Sequence, residues 1–381
     1  MKKICVVTWY GGTNYGTNLQ AYALVKKLEL MGYDTKIKGN ISKNINYFFY
    51  PYLVFDRINN KIKRRKNNKI IYEVDRDTQK FFNEFIKEKL PKLNSYGREE
   101  WGKIEKDYTA FITGSDQVWN PNYFQASMML DFIPHNKIKK IAYAPSIGVN
   151  SLSKKIKRKY KRLLKKYEAI SVREEQAAKI LQDISPVSVK VVLDPTMLLT
   201  CEEWNELTDE ANINRIEMLE EKYIVCYFVG DRKDYIRYVE KVKNETGMKC
   251  FVIPINNNVK MENCTTLTGI GPKEFIWMIK HASIILTDSF HASVFSILYH
   301  KEFYVLKRFP ENSATSQNSR LHQILDMYKL SNRWIEDESQ FIRDIQINYD
   351  ITDKILEKKR KFSEEFLTEA IEKRGRQNEN L

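Results

Sequence analysis

His291 is the side chain in this sequence whose surroundings most suggest proton transfer. It stands in Ile284–Leu298, IILTDSFHASVFSIL, where a buried-strand run (Ile284–Thr287) passes through Asp288, Ser289 and Phe290 into a helix opening at His291. A strand that feeds a helix leaves backbone N–H groups unpaired at the positive helix end, and such a turn binds anions. Imidazole titrates near neutral pH, so a histidine there can pass a proton to a bound anion. Taken alone, the stretch also fits a plain cap, with Asp288 or Ser289 closing the helix and His291 a satisfied polar residue at the sheet edge.

The elements that would position such a group recur along the chain. Lys3–Trp9 reads as a strand and Gly11–Asn18, GGTNYGTN, as a flexible loop; Leu19–Met31 has helical apolar spacing. In open α/β sheets that loop lies at the strands' carboxyl ends, where ligands bind. It has neither GxGxxG spacing nor a Walker lysine, so as a phosphate motif it is weak. Tyr108–Thr113 is a strand followed by Gly114–Asn120, and Lys139–Ala144 one followed by Pro145–Gly148. Ala169–Val172 stops at Arg173 and Glu174, and Val189–Leu193 ends in Asp194-Pro195. Strands alternating with helices predict an α/β fold with a doubly wound parallel sheet. After Thr200 the pattern restarts with strands at Lys222–Val229, Lys249–Pro254, Ile284–Thr287 and Phe303–Leu306. The boundary falls near Pro195–Glu203. This gives an N-terminal α/β domain over 1–195, a C-terminal one over 200–349, and an amphipathic helix with a frayed tail over 350–381.

Composition sets outer limits. A chain of 381 residues, 43% hydrophobic and 12% aromatic, suits two globular domains rather than a disordered protein. Lys and Arg outnumber Asp and Glu by 63 to 49, for a net charge of +14. This suggests a phosphorylated or otherwise anionic partner, unless much of it is solvated helix surface. Residues 40–77 break the α/β pattern. Aromatic residues from Tyr47 to Phe55 precede a basic run, Lys61–Lys69, which reads either as a surface excursion or as a contact with an anionic membrane or lipid-linked substrate. No nucleic-acid motif accompanies it, so nucleic acid is not expected as a partner. The five cysteines form no CxxC pair or zinc spacing, so no metal site is expected, and an odd, frameworkless set fits a reducing cytosol. The N-terminal apolar run is too short for a signal peptide, and no run approaches a membrane span.

GTNYGTNLQAYAL, TGSDQVWNP, YAPSIG, ISVREE, VLDPTMLL, GPKEFIWMIKHASIILTDSFHASVFSIL and NSRLHQIL follow one another in this order. The series resembles the polysaccharide pyruvyl transferase family over roughly Lys3–Trp334. The resemblance implies a GT-B-like architecture: two Rossmann-like parallel-sheet domains facing a cleft, the first on the acceptor side and the second on the donor side. It also implies transfer of a pyruvyl group from phosphoenolpyruvate, a co-substrate rather than a cofactor, to a saccharide. The product is a ketal destined for a cell-surface polymer, with the acceptor often lipid-linked at the cytoplasmic face of the membrane.

The residues can be weighed against that chemistry. Phosphoenolpyruvate carries a phosphate and a carboxylate, so its site needs cations and N–H donors. Protonating its methylene carbon needs an acid of near-neutral pKa. His291 suits that acid. Arg173 suits the donor's carboxylate or phosphate, or else pairs with Glu174 or Glu175. Asp116 suits a sugar hydroxyl or the base, or else braces its turn. Asp194 reads as an interdomain turn brace. Asn14, Tyr15, Asn18, Gln117 and Trp119 are the acceptor-side candidates, with Trp119 either a sugar platform or a packing anchor. Many members of the family have an arginine two residues before the histidine, where this chain has Ser289; Lys307, Arg308 or Arg320 is then the expected replacement cation. Two other readings use the same frame. One is a GT-B glycosyltransferase taking a nucleotide sugar, with Asp288 or Glu302 on the ribose. The other is a non-catalytic membrane-surface protein acting through the basic-aromatic segment.

Overall fold

The structure is a computed structural model, and it describes residues 1–38, 74–93, 107–133, 138–213, 222–230, 232–255, 261–309, 318–337, 340 and 346–373. Most of the aromatic-basic segment, its Lys61–Lys69 run included, lies outside the described residues, as does the tail beyond 373.

The first unit opens with β1 (Lys3–Val7), α1 (Tyr15–Leu30), β2 (Asp34–Lys38), α2 (Arg76–Lys89), β3 (Lys92–Leu93) and β4 (Ala110–Thr113). It continues with β5 (Lys139–Ala142), α3 (Lys154–Leu164), β6 (Ala169–Val172), α4 (Glu175–Gln182) and β7 (Val189–Val191). Its seven strands run parallel in the order β3-β2-β1-β4-β5-β6-β7. After a 3-10 turn at Pro195–Met197 and α5 (Cys201–Thr208), the second unit holds β8 (Tyr223–Tyr227), α6 (Tyr235–Thr246), β9 (Lys249–Val252), β10 (Thr265–Thr266) and α7 (Pro272–His281). β11 (Ile284–Thr287), α8 (Phe290–Leu298), β12 (Glu302–Leu306), α9 (Asn318–Met327), β13 (Trp334–Ile335) and α10 (Tyr349–Glu372) complete it. Its six strands are again parallel, in the order β10-β9-β8-β11-β12-β13. Two doubly wound parallel sheets meeting along one chain are the GT-B-like layout expected from the sequence.

The strand order has a direct consequence for function. In each sheet the winding reverses beside the first strand: between β1 and β4 in one unit, and between β8 and β11 in the other. Ligands of open parallel sheets bind at such reversals, beyond the carboxyl ends of the strands. The loops there are Thr8–Asn14 and Gly114–Asn120 in the first unit, and Phe228–Gly230 and Asp288–Ser289 in the second.

One apolar core runs through both units, from Ile4 and Leu24 to Phe275, Val294 and Ile371. Tyr15 shows how tightly they dock. Its ring stacks on Phe275 with centroids 4.4 Å apart, and its hydroxyl donates to Ile270 O at 2.7 Å. Trp204, on α5, packs between Tyr22 of α1 and Phe295 of α8. The C-terminal helix α10 is not an appendage. Ser363 Oγ accepts from Leu193 N, Arg360 donates to Met197 O and Leu199 O, and Lys139 of β5 donates to Ile371 O. It therefore clasps the crossover between the units and the first sheet.

Local chemistry sets the helix starts. Asn14 accepts from Thr17 N at the start of α1. Gly271 precedes Pro272 at α7, and Glu274 turns back to accept from Gly271 N. Helix α8 begins at Phe290, one residue before the sequence reading, because Ser289 is its cap and accepts from Ala292 N.

Candidate active site

The centre of the cleft is a buried carboxylate. Asp194, at the end of the first sheet's last crossover, uses Oδ1 to accept from Thr196 N and Thr196 Oγ1. This is the turn brace read from the sequence. Its other oxygen does more: Oδ2 accepts from Arg173 Nη1 at 2.6 Å and from Ser115 Oγ at 2.8 Å. His291 Nε2, from the second unit, lies 3.9 Å from the same oxygen. Asp194 is fully buried; Arg173 beside it, with His291 and the Thr196 bonds, outweighs the burial and holds its pKa at about 2. An ionised Asp194 thus fixes an arginine from one unit and faces a histidine from the other.

Arg173 follows β6 directly and precedes Glu174, the cap residue of α4. Its Nε donates to Glu174 Oε1 at 3.1 Å, and its guanidinium lies over the Phe290 ring, 4.4 Å from the centroid. Burial opposes its charge, but Glu174, Asp194 and Asp116 prevail and keep its pKa above the ordinary arginine value. One guanidinium nitrogen, Nη2, is buried without a partner, and so is His291 Nε2. Buried polar nitrogens without partners are rare in proteins, and here a guanidinium N–H and an imidazole nitrogen lie beside one ionised carboxylate.

His291 reaches this position because of a glycine. Gly16 lies in the first turn of α1, and a Cβ there would come within 2.0 Å of His291 Nδ1. The imidazole therefore rests against the bare backbone of α1, close to the positive end of that helix. Burial lowers the His291 pKa; Asp194 and Asp116 oppose this, while Arg173 and Arg320 add to it. The ring is thereby held toward its neutral form.

Of the replacement cations, Arg320 lines the same cavity as Arg173, Asp194 and Phe290. Burial, together with the neighbouring Arg173 and Arg308, pulls its pKa down to about 10. Lys307 and Arg308 are not part of that cavity lining. Arg308 lies by Gly230 and Asp288, and Lys307 gives its carbonyl to Tyr235 OH. Ser289 is occupied as a helix cap.

Asp116 sits at positive φ, 63°. Its Oδ2 accepts from Thr17 Oγ1 and its Oδ1 from Gln117 N. It thus ties the β4 turn to α1 and adds negative charge near His291 and Arg173. Two acceptor-side expectations are corrected by burial. Trp119 is fully buried, its indole N–H donating to Met128 O, so it anchors packing and cannot stack on a sugar. Tyr15 is consumed by the interdomain stack. Asn18 is buried and braces the glycine loop, accepting from Gly11 N and donating to Gly12 O and Asn14 O. Asn14 caps α1. Gln117 accepts from Asn120 Nδ2 behind Gly148. The sequence reading missed Gly16 and did not place Asp194 at the site's centre.

The family model for polysaccharide pyruvyl transferase matches residues 14–308, a span that includes Gly16, Asp116, Arg173, Asp194 and His291. The chain belongs to this family. No match is found among curated proteins. Among solved structures, the chain is similar to the UDP-GlcNAc 2-epimerase from Methanocaldococcus jannaschii, at 13% identity over 94% of this chain and 92% of that one, with a TM-score of 0.48. It is also similar to a putative UDP-N-acetylglucosamine 2-epimerase from Listeria monocytogenes, at 7% identity over 99% and 98%, TM-score 0.49. A third is the ADP-heptose lps heptosyltransferase II from E. coli, at 12% over 94% and 99%, TM-score 0.35. Likeness at this level says nothing about substrate. Within the pyruvyl transferase family, the arrangement here is an arginine and a histidine from opposite units held around one ionised aspartate.

Proposed function

We propose that this member of the family transfers a pyruvyl group from phosphoenolpyruvate to a saccharide, forming a ketal during the synthesis of a cell-surface polysaccharide. The acceptor would be lipid-linked, and the protein would work in the cytoplasm at the inner face of the membrane. No helix among the described residues is long and apolar enough to cross a membrane, which is compatible with such a peripheral placement. The observation that carries the donor assignment is the pair of buried, unpartnered nitrogens, Arg173 Nη2 and His291 Nε2, beside Arg320. A small molecule with a phosphate and a carboxylate supplies hydrogen-bond partners for these two nitrogens.

The proton logic follows from the same contacts. Burial pushes His291 toward neutrality. A bound polyanion adds negative charge beside it and raises its pKa, so the ring gains its proton as the donor arrives. His291 then protonates the methylene carbon, and C2 becomes an oxocarbenium-like centre open to a hydroxyl. Asp194 stays ionised and holds Arg173 in place through the cycle.

The nucleotide-sugar alternative needs a carboxylate for the ribose. Asp288 Oδ1 accepts from Val229 N, and its Oδ2 accepts from Gly230 N and Tyr235 OH; Glu302 accepts from Tyr304 OH. Both candidates are committed to the protein. The deciding experiment is a titration with phosphoenolpyruvate followed by calorimetry, alongside phosphate release in the presence of sugars, for the native protein and for His291→Ala and Arg173→Ala. Binding that both variants lose supports the assignment. Absence of both binding and phosphate release sinks it.

A further inference from the structure

Building on that donor assignment, we propose that Glu174 is the group that takes the proton from the attacking acceptor hydroxyl, and that the cavity it borders is the acceptor-sugar subsite. Glu174 occupies the cap position of α4, but its side chain makes no capping bond. Its carboxylate turns inward instead. Oε1 is held by Arg173 Nε; Oε2 is buried and has no partner, and the side chain is only 10% exposed. A carboxylate oxygen without a donor, deep in a cleft, is poised to accept a hydrogen bond from a ligand.

Its position joins two cavities. One is the donor cavity with Arg173, Asp194 and Arg320. The other, of about 260 Å³, opens between the two units and shares Glu174, Arg320 and Gln323 with the first. Gly148, Asn150 and Gln176 supply its wall from the first unit, and Ser319 supplies part of it from the second. Gln176 Nε2 donates to Asn150 O across that wall, which fixes the amide. Small polar side chains with amide and hydroxyl groups suit a sugar's hydroxyls, and the outer members are exposed, so a longer saccharide can extend outward. Arg173 lies on the donor side, and Arg320 and the Glu174 carboxylate mark the boundary. This also explains how the first unit can serve the acceptor although Tyr15, Asn18 and Trp119 are occupied.

The step balances as follows. His291 gives a proton to the methylene carbon, making a methyl group and an electron-poor C2. The first acceptor oxygen bonds to C2 while its proton passes to Glu174 Oε2. The C2–O bond to phosphate then breaks with its electron pair leaving on phosphate, and the second hydroxyl oxygen bonds to C2. Glu174 passes the first hydroxyl's proton to the departing phosphate, and the second hydroxyl's proton restores His291.

The test uses the full chain and methyl hexopyranosides with free 3,4- or 4,6-hydroxyl pairs. Phosphoenolpyruvate affinity is measured first by calorimetry. Saturation-transfer NMR then identifies glycosides that contact the protein, and these are assayed for phosphate release. Glu174→Gln, which preserves the shape and an acceptor for Arg173 Nε, is expected to keep phosphoenolpyruvate affinity within twofold. It should lower acceptor-dependent phosphate release at least ~100-fold. Glu174→Asp, which restores a carboxylate, should recover part of the rate. Gln176→Ala, which alters a residue lining the second cavity alone, should weaken glycoside contact without changing donor affinity. The proposal is overturned, with the donor assignment intact, if phosphoenolpyruvate binds but no glycoside contacts the native protein, if contacting glycosides give no phosphate release, or if Glu174→Gln keeps its rate within tenfold. It also falls if Glu174→Gln loses donor affinity in step with rate. Failure of phosphoenolpyruvate to bind overturns both assignments.

Discussion

Replacing Gly16 with alanine is the sharpest probe of the His291 position, because the perturbation is one methyl group in a helix. A Cβ at Gly16 would stand 2.0 Å from His291 Nδ1, against about 3.4 Å for an ordinary contact. The ring must therefore move by about 1.4 Å. A displacement near 1 Å in a reacting group costs on the order of 100-fold in rate, or about 2.7 kcal/mol. Helix propensity pulls the other way, since alanine in a helix is worth roughly 1 kcal/mol more than glycine. Gly16→Ala is thus expected to unfold thermally within a few degrees of the native protein while its phosphoenolpyruvate-dependent phosphate release falls about 100-fold. The double variant Gly16→Ala/His291→Ala should be at least as stable as His291→Ala, because the new methyl group fits where the ring was. An activity within threefold of native for Gly16→Ala would refute both the contact and the role assigned to the ring.

The remaining predictions concern the ionic centre and the packing. Asp194→Asn leaves Arg173 buried without its carboxylate, which should cost about 3–5 kcal/mol in chemical denaturation; a loss below 1 kcal/mol would mean that Asp194 is not the partner described. Two acid windows should separate. The lowered His291 pKa means the unfolded chain binds the extra proton first, so stability drops as pH falls below 6.5, and His291→Gln should remove that part of the loss. The Asp194 contribution of about 2 kcal/mol, from a shift of 3.8 to about 2, is fully present above pH 4 and lost only between about 4 and 2. Donor binding should be accompanied by proton uptake at neutral pH, read from calorimetry in buffers of different ionisation enthalpy, and the uptake should vanish in His291→Gln. Trp119→Phe should lower Tm and leave KM for every substrate unchanged, since Trp119 touches only the core.

The elements and the order of motifs were legible because they obey local rules. The short buried runs of β4 and β11, the small or polar residues after each strand and the cap at Ser289 can each be read within a dozen residues. Arg173 and His291 stood out because both close strand-to-helix turns. The centre of the site was harder, for a physical reason. Asp194 is a turn brace by local chemistry, through the Thr196 bonds, and only docking of the units puts His291 against its other oxygen. Gly16 looks like a loop glycine in GTNYGTN; its meaning depends on a ring 275 residues later. Trp119 stayed open between two roles, since a polar-flanked tryptophan reads the same whether its indole meets a sugar or Met128 O.

The clasp made by α10 also bears on how the protein is synthesised. Leu193 N finds its acceptor in Ser363, and Met197 O and Leu199 O find Arg360 as their donor. These groups emerge from the ribosome some 160 residues before their partners do. The first unit therefore leaves the exit tunnel with its last crossover unsealed and waits for the end of the chain. Contacts of such long sequence separation slow folding. Ending translation after the first sheet should accordingly yield a fragment with exposed core that aggregates rather than a free-standing domain.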